Sequence, residues 1–185
     1  MSYSGIILAG GKSSRMGQDK ALMELKGIPM LQQVANGLKN YCNEIIIASN
    51  EQKHHAFGDI GVSDNYQDSG PLAGLEAGLL AASNESCIVI SCDAPLLTTE
   101  ILDRLISETD QRVIVASCSG RVHPLIGIYT KGSLEIIQSQ LEKKQLKMHD
   151  VLDALNAKCI DFPKTLSEAF QNINTQEEWE QLTGK

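Results

Sequence analysis

Apolar runs of strand length alternate along the chain with segments in which apolar residues recur every three or four positions. The runs are mostly Ile and Val without polar alternation, which is typical of strands buried on both faces. They are Ile6–Ala9, Ile45–Ala48, Cys87–Ser91 and Val113–Ala116. The helical segments between them are Leu31–Leu38, Leu72–Ala82 and Ile101–Ile106. This order predicts a three-layer α/β fold with a doubly wound, mostly parallel, Rossmann-like sheet.

The pattern becomes less regular after Arg121. One further strand and two helices are predicted there, at Leu125–Tyr129, Ser133–Leu141 and Val151–Leu155. We expect these elements to form an irregular cap on the sheet. Thr175 and Glu178 have the spacing of a capping box, which predicts a last helix over Gln176–Leu182. No repeat or linker interrupts the chain, so a single domain over residues 1–185 is expected.

Composition narrows the classes of function. The net charge of -7 and the pI near 5.1 argue against a general nucleic-acid binder, which needs clustered Lys and Arg. No run of about 18 apolar residues occurs, and the N-terminus lacks a basic segment before its short apolar run. We therefore expect a cytoplasmic protein that binds neither nucleic acid nor membrane.

The five cysteines include no C-x-x-C pair, which favours reduced thiols over a disulfide framework or a zinc site. Cys92 stands beside Asp93 and is a candidate nucleophile. The alternative is that Cys92 is a small core residue, since free Cys is usually buried packing. No His lies near it in sequence, and His54 and His55 are interpreted as part of a solvated loop.

Residues 10–20, which follow the first strand, are rich in groups that bind phosphate. They include three glycines, two serines and three cations. Glycine lets the backbone approach a ligand closely, so successive N–H groups can surround phosphate oxygens. Arg15 and Lys20 add full positive charges. The segment predicts a phosphate-binding loop, because a plain basic surface loop would leave this concentration of special residues unexplained.

Spacing excludes two commoner phosphate-binding motifs. A Walker A loop needs a glycine five positions before Gly11, and Ile6 stands there. A dinucleotide fingerprint, G-x-G-x-x-G, fails because Gly10 is followed directly by Gly11 and the next glycine is Gly17. The loop belongs to neither class.

A second apolar run, Cys87–Ser91, leads to Asp93 and then to Pro95. The carboxyl ends of parallel strands lie at one edge of a sheet, so we expect Asp93 to face the glycine-rich loop. Mg²⁺ is usually held by one or two carboxylates together with phosphate and water. Asp93 is therefore the predicted magnesium ligand. The alternative, an N-cap for the next helix, is already served by Thr98 or Thr99.

The loop sequence LAGGKSSRMGQDKAL resembles the pattern LAGGxSxRMGxDKxL of molybdenum cofactor guanylyltransferases, within the wider group of sugar-phosphate and cofactor nucleotidyltransferases. The resemblance implies the nucleotidyltransferase fold. It implies that guanine and ribose lie against Leu8, Ala9 and Gly10, and that Arg15 and Lys20 hold the triphosphate. Gly11 is also expected to bind the nucleotide. Relatives that use CTP tend to carry alanine in place of Gly10, which favours guanine here.

Further matches extend the resemblance. The segment CDAP matches the family's C-D-x-P, which implies that Asp93 contacts both GTP and magnesium. Asp64 with the segment GPLAG matches a second motif, which implies nucleotide contacts by Asp64, Gly70 and Gly74. Asp68 is the alternative to Asp64, because the intervening loop is a residue shorter than in some relatives.

Two matches concern the acceptor substrate. The segment NINT resembles the family's N-x-N-T, and His123-Pro124 resembles its H-P pair. The resemblance implies that substrate is bound by His123, Asn172 and Asn174. The alternatives are local, since Asn is an ordinary turn residue and a lone His is often structural.

The resemblance implies an enzyme that moves GMP from GTP to molybdopterin with Mg²⁺ and releases pyrophosphate. Its catalytic residues would be Lys20, Asp93 and Arg15. GTP and molybdopterin are the expected partners, with transient contacts to proteins that insert the cofactor into molybdoenzymes. Two alternatives stay open: a cytidylyl- or uridylyltransferase for another phosphorylated small molecule, and a non-catalytic nucleotide-binding module.

Overall fold

The computed structural model describes residues 2–10, 19–108, 111–173 and 178–180. The strands in chain order are β1 (Tyr3–Leu8), β2 (Glu24–Leu25), β3 (Ile28–Pro29), β4 (Cys42–Ala48), β5 (Ile60–Val62), β6 (Ser86–Ser91), β7 (Val113–Cys118), β8 (Arg121–Thr130) and β9 (Lys158–Phe162). The α-helices are α1 (Met30–Leu38), α2 (Pro71–Ala81), α3 (Thr99–Ile106), α4 (Leu134–Glu142) and α5 (Met148–Ala154).

Seven of these strands form one sheet in the order β5-β4-β1-β6-β8-β7-β9, and β2 pairs with β3 in a small hairpin. Strand β8 runs antiparallel to both of its neighbours, whereas the other adjacent pairs in the described sheet are parallel. The chain leaves the central strand β1 first toward β4 and later toward β6. The predicted doubly wound, mostly parallel sheet is confirmed.

Alternate residues of each central strand pack on opposite faces of the sheet. Ile7 and Ile47 lie in one apolar cluster with residues of α1 and α3, while Ile6 and Ile46 lie in a second cluster with residues of α2, α4 and α5. Both faces are therefore covered by helices, which explains why these strands carry continuous apolar runs. The predicted three-layer arrangement is confirmed.

The expected irregular cap after Arg121 is wrong. That segment contributes β8, which inserts between β6 and β7, and β9, which pairs with β7 at the sheet edge. In β9 only Ile160 and Phe162 are buried, so no continuous apolar run marked it as a strand. Of the predicted last helix, residues 178–180 are helical and the rest lies outside the described residues. No helix in the described ranges has the length and apolar character needed to cross a bilayer.

Gly78 allows the close approach of α2 to the sheet. A Cβ built at Gly78 would lie 2.6 Å from Cγ2 of the fully buried Ile6. A Cβ at Gly37, in α1, would meet no atom within 4 Å. The two helical glycines therefore differ in packing but share the same helix propensity.

We expect Gly78→Ala to lower the free energy of unfolding by about 1–3 kcal/mol, because it overpacks a filled core. Gly37→Ala should raise it by about 0.5–1 kcal/mol, since alanine is the better helix former. Urea unfolding of both variants measures the difference. Equal stabilisation by the two substitutions would contradict the close packing at Gly78.

Candidate functional site

The carboxyl ends of β1 and β6 lie side by side. Leu8 is in register with Ser91, and the backbone N–H of Cys92 donates to the carbonyl oxygen of Leu8 at 3.0 Å. Ala9 in turn donates to the carbonyl of Ala48 at 3.0 Å, which joins the end of β4 to the same edge. The chain after β1 and the chain after β6 thus meet at one place, as the sequence predicts.

Lys20 and Asp93 form an ion pair at this edge. The Nζ of Lys20 lies 3.1 Å from Oδ2 of Asp93, and their side chains are only 13% and 16% exposed. Lys20 begins a 3₁₀ helix whose N-cap is Asp19, and Oδ1 of Asp19 accepts from the N–H of Ala21 at 3.2 Å. The structure therefore brings together two predicted catalytic residues that are 73 positions apart.

The second carboxylate oxygen of Asp93 does not take part in this ion pair. Oδ1 is buried and has no hydrogen-bond partner among the described residues. A buried oxygen of this kind is costly unless a cation or a donor reaches it. A hard carboxylate oxygen held in this way fits Mg²⁺, which prefers oxygen ligands and keeps room for phosphate and water.

Asp64 lies beside the N-terminal turn of α2. Its Oδ2 accepts from Nδ2 of Asn50 at 2.9 Å, and its backbone N–H donates to Oδ1 of Asn50 at 2.9 Å. A Cβ built at Gly74 would lie 3.2 Å from Cδ2 of Leu8 and 3.4 Å from Oδ1 of Asp64. Burial raises the pKa of Asp64, and the bond from Asn50 only partly opposes this. Asp64, Gly74 and Leu8 therefore share one corner of the site.

The alternative carboxylate, Asp68, is exposed and has a positive φ of 50°. Gly70 is the N-cap of α2 with φ of 62°, a conformation that favours glycine, and Pro71 occupies the first turn. The geometry thus explains the G-P pair in the motif. It brings Asp64, and not Asp68, next to Gly74.

A cavity of about 740 Å³ lies next to the segment that follows Asp93, with Leu96 and Ile173 in its lining. Its lining includes Arg121, His123, Phe170 and Asn172. The adjoining residue Ile173 donates its backbone N–H to the carbonyl oxygen of Asp93 at 3.1 Å. The predicted acceptor residues His123 and Asn172 are therefore brought together next to Asp93.

His123 is 8% exposed, and its ring centroid lies 4.9 Å from that of Phe170. Burial lowers the pKa of His123, and the charge of Arg121 lowers it further. His123 therefore presents a neutral ring to the cavity at neutral pH. Arg121 supplies positive charge beside it.

The described residues do not include all of the predicted site. Gly11, Arg15 and Asn174 lie outside them, so their roles stay predictions. Gly10 is described and exposed, and Ala9 is buried.

The interpretation of His54 as a solvated loop residue is wrong. His54 is 3% exposed, with Nε2 2.9 Å from Oδ2 of Asp19 and Nδ1 2.7 Å from Oγ of Ser49. Lys53 also reaches Oδ2 of Asp19 at 2.6 Å. Asp19 lies 35 positions from His54, so no local pattern indicated this contact, nor the one between Asn50 and Asp64.

A family model described as "MobA-like NTP transferase domain" matches residues 5–158. A probable molybdenum cofactor guanylyltransferase of Carboxydothermus hydrogenoformans is 37% identical over 183 residues, which cover 95% of this chain and 92% of the relative. A molybdenum cofactor guanylyltransferase of Serratia proteamaculans is 34% identical and covers 98% of this chain and 95% of its own.

Two solved structures are also similar. A protein of Aquifex aeolicus superposes with a TM-score of 0.81 at 29% identity, covering 95% of both chains. Molybdopterin-guanine dinucleotide biosynthesis protein A of Archaeoglobus fulgidus has a TM-score of 0.78 at 19% identity, covering 98% of this chain and 97% of its own. The second likeness concerns the fold alone.

Cys92 does not suit the alternative role of nucleophile. It is 8% exposed, and burial raises the pKa of its thiol to about 12, with the charge of Asp93 adding to the shift. The reactive form of Cys is the thiolate, which is scarce at neutral pH under these conditions. Cys159, by contrast, is exposed on β9.

We expect iodoacetamide at mildly alkaline pH to label Cys159 in the native protein and Cys92 only after unfolding. Mass spectrometry of the peptides measures both, and Cys159→Ser controls for labelling elsewhere. Fast native labelling of Cys92 would contradict its burial.

Proposed function

The chain belongs to the family with the MobA-like NTP transferase domain, and we propose that it is a molybdenum cofactor guanylyltransferase, which transfers GMP from GTP to molybdopterin. Relatives that are 37% and 34% identical over most of their length carry this name. In the reaction, an oxygen of the molybdopterin phosphate bonds to the α-phosphorus of GTP. The bond from that phosphorus to the bridging oxygen breaks, and pyrophosphate leaves.

The observation that carries the proposal is the pair of Lys20 and Asp93 at the junction of β1 and β6. The attacking phosphate is already an anion, so the protein needs no side-chain nucleophile. Catalysis of such a transfer is mostly positioning and charge neutralisation. The ammonium of Lys20 would offset negative charge on the triphosphate, and Arg15 would do so from the same loop.

Magnesium is part of the proposal. Oδ1 of Asp93 would hold the ion, because this buried oxygen has no other partner among the described residues. Bound Mg²⁺ supplies charge that polarises the α-phosphate and balances the leaving pyrophosphate. Lys20 pairs with Oδ2 of Asp93, which would leave Oδ1 to hold the metal.

The nucleoside would lie on the corner formed by Leu8, Gly74 and Asp64. We assign Ala9, Gly10 and Gly11 to the same nucleotide, together with Gly70 at the start of α2. The half-buried carboxylate of Asp64, oriented by Asn50, is an acceptor that a base or ribose can donate to. Together these residues would hold the guanosine of GTP.

Molybdopterin would occupy the cavity beside Asp93. The neutral ring of His123 and the amides of Asn172 and Asn174 provide hydrogen bonds to a pterin. Arg121 provides a cation for the phosphate that attacks. A cytoplasmic location and transient contacts with proteins that insert the cofactor into molybdoenzymes complete the proposal.

We expect Lys20→Ala and Asp93→Ala each to lower turnover by about 10²–10³, the cost of losing one strong electrostatic contact in a transition state. Pyrophosphate release with GTP and molybdopterin measures this. Lys158→Ala is the matched control, since it removes an exposed ion pair with Glu108 far from this edge. Retention of most activity by either variant with a native circular dichroism spectrum would contradict the assignment.

The same assay with GTP, CTP and UTP in competition tests the substrate. We expect GTP to be used in clear preference with molybdopterin as acceptor. Preferential use of CTP or UTP would replace the proposal with a pyrimidine nucleotidyltransferase. Nucleotide binding without pyrophosphate release from any of the three would indicate a non-catalytic module.

A further inference from the structure

We propose that His54 is a positioning residue for nucleotide binding, because its ring joins the two ends of the glycine-rich loop, at Ala9 and Asp19. The loop's role in holding GTP rests on the proposed function. The joining itself rests on described contacts alone. His54 lies in a 3₁₀ helix, Gln52–Phe57, which follows β4 and contacts neither substrate in the proposal.

Each ring nitrogen of His54 makes one of these contacts. On one side Nδ1 lies 2.7 Å from Oγ of Ser49, and that hydroxyl donates to the carbonyl oxygen of Ala9 at 3.0 Å. On the other side Nε2 lies 2.9 Å from Oδ2 of Asp19. Ala9 immediately precedes the loop and Asp19 closes it. One buried ring, together with Ser49, therefore connects Ala9 to Asp19.

The hydrogen-bond roles indicate that both ring nitrogens donate. The carbonyl oxygen of Ala9 can only accept, so the hydroxyl proton of Ser49 points to it. Oγ of Ser49 then accepts from Nδ1 of His54, as it does from the N–H of Glu51 at 3.1 Å. Nε2 faces a carboxylate, which accepts as well. In this arrangement the ring of His54 donates to Ser49 on one side and to Asp19 on the other.

The state of Asp19 agrees with this. Burial raises the pKa of Asp19, but hydrogen bonds and charges from Lys53 and His54 outweigh burial and lower it overall. An ionised Asp19 also caps the turn that begins at Lys20. A chain of contacts therefore runs from His54 through Asp19 to the start of the turn Lys20–Leu22.

The set Ser49, His54 and Asp19 contains the residue types of a hydrolytic triad, but the geometry excludes that chemistry. Ser49 is 1% exposed and its hydroxyl proton is directed to a backbone carbonyl instead of to the imidazole. A triad serine must be open to its substrate and must give its proton to the histidine. The set therefore connects Ala9 to Asp19 and does not act as a nucleophile.

We expect His54→Gln to raise the KM for GTP about 10-fold or more, as loss of a supporting contact typically does, while kcat changes little. Gln can donate to Asp19 but cannot bridge to Ser49 at the same time. The dissociation constant of a fluorescent GTP analogue should rise by the same factor. His149→Gln is the matched control, because His149 is exposed on α5.

Asp19→Asn is the second variant. Asn keeps an oxygen that can cap the turn, but its NH₂ group would replace the carboxylate oxygen that faces Nε2 of His54. It should weaken binding of the analogue like His54→Gln. In the unsubstituted protein, ¹⁵N NMR should show protons on both ring nitrogens of His54. Analogue binding unchanged in both variants, or a ring with one bare nitrogen, would overturn the inference. If both variants bind the analogue more weakly but the unsubstituted protein transfers no GMP, the positioning role of His54 is supported and the proposed function is rejected.

Discussion

The in-register parallel pairing of β1 with β6 is the constraint on which the candidate site depends. Both strands are buried on both faces, so each must present apolar side chains to two layers of helices, and a slip of one residue would reverse every side chain. With Leu8 opposite Ser91, the backbone leaves the sheet at the same level in both strands. The segments that lead to Lys20 and to Asp93 therefore leave the sheet at the same edge.

The charges at this edge follow from the same constraint. A chain with a net charge of -7 has to create a local site for a polyanion. Lys20 supplies one cation there, and Asp93 pairs with it through one oxygen while the other oxygen fits a divalent ion. Asp19 connects this pair to the buried ring of His54. The electrostatic groups thus form a connected set and not a general basic surface.

Much of the fold could be predicted from the sequence because the central strands carry unbroken apolar runs. Strands β5 and β9 were missed, since β5 has three residues and β9 alternates buried with exposed positions. The expected cap after Arg121 failed for a related reason: the first part of β8 is only partly buried and lacks a strong pattern. Continuous apolar runs therefore identify strands that are buried on both faces, but they do not identify strands at the edges of the sheet.

The contacts of the candidate site also include some that the sequence predicts and some that it does not. Lys20 and Asp93 could be expected together because the rule for parallel strands places their segments at one edge. The contacts of Asn50 and His54 could not, since each depends on a partner distant in sequence and on no local motif. Arg15, Gly11 and Asn174 keep their predicted roles without a structural test.

Anomalous diffraction from a crystal soaked with Mn²⁺ and a GTP analogue that cannot be cleaved would test the central claim most directly. We expect a manganese peak in contact with Oδ1 of Asp93 and with a phosphate of the nucleotide, beside the Nζ of Lys20. A nucleotide bound at this edge with the metal held elsewhere, for example by Asp64 alone, would contradict the account.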